Sequence, residues 1–232
     1  MGTTEQFQIR NGCILEDTMV RTYAKIAEEA FNQFLSEKAN PISRPELEHD
    51  ADAYHEHENR KSVAGIKTIV FSAMALEAAA FEFATVQLGE PLARRYLDKL
   101  DVVGKWIVIP RLVCGQSLRE DGPAMNSLKC LVKARNALVH HKSKEWDRKS
   151  KVSEVREAST KRRKSFEINQ VPNAFKTLVL LSLELEALLG ENAPGPLPHF
   201  GRDAIPLPPR SSHVEQFVHK CREIHRDNWH VG

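Results

Sequence analysis

The stretch "CLVKARNALVHHKSK", Cys130 to Lys144, has the apolar spacing of an amphipathic helix, with an arginine set into its apolar face. With Leu128 at zero and about 100° per residue, Leu131 falls at about 300°, Val132 at about 40°, Leu138 at about 280° and Val139 at about 20°. These residues outline a buried stripe, and Arg135, at about 340°, lies in the middle of it. Asn136 and His140 run along one edge, four residues apart and within reach of each other. A buried charge stripped of its partner costs on the order of 3–5 kcal/mol. Two readings follow: Arg135 makes an ion pair inside a helical bundle, or it faces a cleft or second subunit and binds phosphate.

Working outward, helical spacing dominates and strand alternation is nearly absent. Gly122 and Pro123 open the arginine-bearing helix. Upstream, "SVAGIKTIVFSAMALEAAAFEFATVQL", Ser62 to Leu88, predicts the longest helix, with Ile66, Val70, Ala73, Ala80, Phe81, Ala84 and Leu88 as its stripe. Glu77 interrupts that stripe as Arg135 interrupts the other, so the two are expected to pair, within the chain or across a dimer. A short helix is expected from Pro91 toward Leu100, and a short extended piece over Ile107–Ile109. An N-terminal helix from Glu16 to Lys38, capped by Asp17 or Thr18, carries Met19, Tyr23, Ile26, Ala30 and Phe34. Between the first two helices, "ELEHDADAYHEHENR" reads as an acidic loop. Its His55 and His57 lie about 200° apart on a helix, the wrong spacing for a shared metal.

Downstream, residues 142–164 hold ten Lys or Arg and four Asp or Glu, a local net of +6. This is either a solvated loop or a phosphate track. Pro172 opens a last long helix, which Gly190 closes. Six prolines among residues 194–209 predict an extended linker or a strap over the surface. A final amphipathic helix is expected after Ser211 or Ser212. The fold class expected is all-α: a bundle over 1–190 that includes the N-terminal helix, and a Pro-rich extension over 191–232.

Composition excludes several classes. The chain has 232 residues, 28% charged and 41% hydrophobic, with a formal net charge of +2. That is the balance of a folded soluble protein. Cys13, Cys114, Cys130 and Cys221 form neither a C-x-x-C nor a zinc spacing, as expected of thiols in a reducing cytoplasm. No signal peptide or membrane span is expected, and "FKTLVLLSLELEALLG" is too short to cross a bilayer. No Gly-rich phosphate loop, G-x-S-x-G or H-E-x-x-H occurs. No cofactor and no metal are expected.

The run "RNALVH" resembles the R-N-x-x-x-H form of the motif of HEPN domains, a superfamily of small all-α bundles. Arg135, Asn136 and His140 match the motif, with His141 as a second candidate histidine. "SAMALEAAAFEFA" is similar to the family's long helix bearing a central acid. The resemblance covers about residues 60–190. "RPELEH", Arg44 to His49, has the same spacing, but Pro45 follows its arginine and no apolar stripe surrounds it.

The resemblance implies a metal-independent endoribonuclease, a toxin or defence effector, and the residue types suit that chemistry. The RNA 2′-OH attacks its own 3′ phosphate and leaves a 2′,3′-cyclic phosphate. A histidine transfers protons near neutral pH. An arginine fork stabilises charge on two phosphoryl oxygens. Asn136 can orient His140 or donate to the phosphate. One motif histidine per chain, for a reaction needing both base and acid, points to a homodimer with a shared cleft. Lys142, Lys144, Trp146, Arg148 and Lys149 are the candidate RNA contacts, Trp146 by stacking on a base. The family also includes non-catalytic interaction modules that bind a partner such as a nucleotidyltransferase antitoxin, and fold alone does not choose between them.

Overall fold

The computed structural model describes residues 19–43, 51–140, 152–190, 195–201 and 209–229. These form α1 (Val20–Ala39), α2 (Ala51–Leu88), α3 (Glu90–Leu92) with a π turn (Ala93–Leu97), α4 (Val102–Cys114), α5 (Pro123–Val139), α6 (Val152–Ser165), a second π turn (Phe166–Gln170), α7 (Val171–Leu189) and α8 (Ser212–Trp229). Among the described residues the protein is all-helical, as the periodicity predicts.

Helix α2 is the spine. Its 38 residues extend about 57 Å, with α1 along one flank, α7 along another, and α4 and α5 also packed against it. The reach of α2 overturns one expectation: residues 51–60 of the stretch read as an acidic loop form its first turns. His57 is buried there, its Nε2 3.0 Å from the Glu37 carbonyl oxygen near the end of α1. That contact and the flank of α1 supply the packing that the polar sequence conceals.

The buried face of α2 also differs from the expected stripe. It consists of Ala64, Gly65, Thr68, Ile69, Ser72, Ala75, Leu76, Ala79, Ala80, Phe83 and Ala84. Most are small, so neighbouring helices approach closely, and bulky Ile66 is left exposed at the surface. Gly65 marks the tightest crossing: a Cβ there would lie 2.7 Å from the Phe166 ring and 2.8 Å from Val171 Cγ2. Only Gly clears that contact without displacing a neighbour. Among the described residues α2 is also the one helix long and apolar enough to cross a membrane, and half of that window is buried inside the bundle.

Three further expectations change. In α1 the buried positions are Val20, Ala24, Ala27, Ala30, Phe31 and Phe34, so the stripe is rotated and Met19 stands exposed. The Ile107–Ile109 piece is helical, inside α4. The Asp101 carboxylate caps that helix by accepting from the Gly104 N–H at 2.7 Å, and the helix continues through Pro110. Residues 152–164 of the basic segment are helical: α6, the π turn and α7 make one continuous helical run over 152–189. Asp17 and Thr18, the expected caps of α1, lie outside the described residues.

The C-terminal extension is part of the bundle. Leu197 and Phe200 of the Pro-rich strap are buried, and α8 packs on α7 and α1 through Val214, Val218 and Cys221. Phe31, Phe175, Phe200 and Phe217 form an aromatic cluster with ring centroids 4.7–6.1 Å apart. Such pairs add about 0.5–1.5 kcal/mol each beyond area burial. Arg210 lies over the Phe200 ring at 4.7 Å and pairs with Glu28 of α1 at 3.1 Å. Ser211, one of the two expected caps, accepts from the Val214 N–H at 3.4 Å.

Candidate functional site at the end of α5

Gly122 leads into α5, with Pro123 at the first helical position, where its missing N–H leaves no bond unmade. The helix runs antiparallel to α7. Asn173 Nδ2 donates to the Ser127 carbonyl at 2.9 Å, and Glu184, near the other end of α7, accepts from the Arg119 N–H at 3.0 Å. Ala124, Met125, Ser127, Leu128, Leu131 and Ala134 form the buried face.

That face is rotated from the one expected. Arg135 lies on its edge, half-buried, and Val139 is 53% exposed. The last turn of α5 projects past the helices that bury the rest, so apolar spacing overstates burial there. Arg135 Nη1 donates to Asn136 Oδ1 at 3.1 Å. Among the described residues no carboxylate pairs with Arg135. His140 is the C-cap, exposed, and its backbone N–H donates to the Asn136 carbonyl at 2.9 Å. Asn136 thus touches both neighbours, the guanidinium through its amide oxygen and the His140 backbone through its carbonyl. The arrangement presents a planar cation, an amide and an imidazole on one exposed helix end. It can bind an oxyanion and move a proton.

The expected Glu77–Arg135 pair does not form within the chain. Glu77 is exposed on α2, with its carboxylate 4.0 Å from Lys105 Nζ. Lys105 is the buried charge that apolar spacing missed: its ammonium is held by Asp98 at 2.8 Å. Two acids around one buried cation leave Glu77 no reason to reach α5. His141, Lys142, Lys144, Trp146, Arg148 and Lys149 lie outside the described residues.

Two features near other ends of the bundle also escaped the sequence reading. The first is a knot of charge where α6 joins the π turn. Glu58 accepts from Lys61 Nζ at 2.6 Å and from Arg163 Nη1 at 3.1 Å, and Lys61 also lies 3.3 Å from Glu167. Burial pushes the Glu58 carboxyl up, but Lys61, Arg163 and His57 together outweigh that and hold it below the usual range. The second is a cavity of about 10 Å³ between α5, α7 and α8, lined by Arg119, Leu180, Glu184 and Trp229. It has the room of one water, and it lies at the opposite end of α5 from His140. Burial raises the Glu184 carboxyl there, only partly offset by the Arg119 N–H.

No family model, no curated protein and no solved structure matches this chain.

Proposed function

We propose that this chain is a HEPN-type, metal-independent endoribonuclease of the cytoplasm, acting as a toxin or defence effector on RNA. The observation that carries the reading is the gathering of Arg135, Asn136 and His140 on the exposed end of α5. Arg135 is free of any described acid and is available to a phosphate. In the proposed reaction its guanidinium holds two phosphoryl oxygens, while Asn136, hydrogen-bonded to it, keeps the fork at the helix edge. His140 takes the 2′-OH proton in one copy. The second copy's His140 donates to the leaving 5′ oxygen, so the active species is a two-fold dimer closed over the half-exposed turn at Val139. Neither proton transfer requires a metal.

The test is incubation of the purified protein with mixed RNA in EDTA. Cleavage leaving 2′,3′-cyclic phosphate ends is expected. His140→Ala and Arg135→Ala should lower the rate by at least about 100-fold, the scale of a lost general acid–base or oxyanion group. Asn136→Ala should lose less, and circular dichroism should be unchanged in all three. Intact RNA, with the parent folded, would overturn the enzymatic reading and leave the end of α5 as a binding surface for a partner protein.

A further inference from the structure

The continuous run over 152–189 has two unlike halves. In α7 nearly every residue of the central turns is buried, whereas α6 has no buried residue at all. A 14-residue helix with no apolar face is marginal in water by itself. It persists here because it continues a packed helix and because its root is tied down. At that root Arg163 bonds to Glu58 of α2, and Lys61 bridges Glu58 and Glu167. Beyond the root, Arg156, Lys161, Arg162 and Lys164 are exposed cations, against two acids, Glu154 and Glu157. Among the described residues only Lys161 of these makes an ion pair, with Glu157 at 2.7 Å, and such exposed pairs contribute little.

The helix is also in register with the candidate site. The Asn173–Ser127 bond fixes how α7 lies along α5. About thirteen residues up α5 from that bond lies His140, and about thirteen residues back along the other run lies residue 160. At about 1.5 Å per residue both points are about 20 Å from the bond, so the end of α5 and the last turns of α6 are level. The π turn between them packs on α5, while α6 continues outward.

We propose that α6 is an RNA-docking arm, its direction fixed by Glu58, whose exposed cations seat the phosphates of a strand lying across the end of α5. This rests on the ribonuclease reading and adds to it where the strand is held. Glu58 is a positioning residue: it touches no RNA and acts by holding Arg163 and Lys61. The Arg163 guanidinium is committed to that knot, so the seat consists of Arg156, Lys161, Arg162 and Lys164.

The experiment uses a 2′-O-methyl RNA 20-mer, which binds but lacks the attacking hydroxyl. Its Kd is followed by fluorescence anisotropy from 50 to 200 mM salt. Each phosphate contact on a single strand contributes about 0.7 to the slope of log K against log salt. The variant with Arg156, Lys161, Arg162 and Lys164 all changed to Gln should flatten the slope by about 2 to 3 units. Glu58→Gln should speed hydrogen exchange in residues 152–165 relative to α7 and weaken binding several-fold. An unchanged slope in the four-site variant, or no binding by the parent at 50 mM salt, overturns the arm. Unchanged exchange in Glu58→Gln overturns the role of the knot. A dinucleotide substrate separates this from the reaction itself. A parent that binds the 20-mer through α6 but does not cleave the dinucleotide keeps the arm and loses the ribonuclease. A four-site variant that cleaves the dinucleotide at the parent rate with an unflattened slope keeps the ribonuclease and loses the arm.

Discussion

Gly65 carries a constraint that its place in an unremarkable helix does not advertise. Its Cα faces Phe166 and Val171, and an added methyl would sit inside contact distance of both. Gly65→Ala should therefore lower stability by about 1–3 kcal/mol despite the better helix propensity of Ala, because overpacking outweighs the gain. Thermal unfolding of the two proteins checks it; a raised midpoint would mean the crossing is loose. Glu184 gives a second residue-scale expectation. Its carboxyl is raised by burial, so the fold favours the protonated form. Its contribution is fully present below about pH 4.3, the value of an unfolded glutamate, and is lost as pH rises through the folded value. Glu184→Gln keeps an amide oxygen for the Arg119 N–H and removes the charge. The variant should be more stable than the parent at pH 8, with the advantage shrinking toward pH 4 in urea titrations. A constant difference across that range would show that the carboxyl does not titrate with folding.

At the scale of elements, the sequence disclosed the helices more faithfully than their faces. Pro123 and Gly190 fixed two boundaries because their backbone requirements are local. The stripe of α2 was misjudged because the helix is covered from several sides. A single 3.6-residue stripe cannot represent that, and the small residues that permit the close crossings carry little hydrophobic weight. Glu77 falls inside the apparent stripe for this reason, while the burial of Lys105 leaves no local signal because the acid that holds it, Asp98, is seven residues earlier and outside its helix. In the motif, Arg135, Asn136 and His140 were legible as residues on one helix end, but their exposure was not. Exposure depends on where α2 and α7 stop covering α5. The described part of the Pro-rich stretch was legible as non-helical, since prolines exclude a helix, but nothing local says that Phe200 enters an aromatic cluster. Phe200→Ala should cost about 3–5 kcal/mol, the range for a fully buried phenylalanine. A cost under about 1 kcal/mol in chemical denaturation would mean that the strap rests on the bundle without supporting it.

At the scale of the whole molecule, the bundle is closed by contacts between its most distant helices. Arg210 reaches Glu28, and Ser211 Oγ donates to Asn32 Oδ1 at 2.5 Å, across 182 and 179 residues of chain. Phe31 of α1 stacks on Phe175 of α7 and meets Phe217 of α8 edge to face. During synthesis at about 5–20 residues per second, α1 leaves the ribosome roughly 10–40 s before α8 can meet it. Through that interval Phe31 lacks part of its cover, and the nascent chain offers chaperones an aromatic surface that the finished protein hides. The end of α5 is made well before α8, so α5 can pack on α2 and α7 before the contacts of α8 with α1 close the bundle.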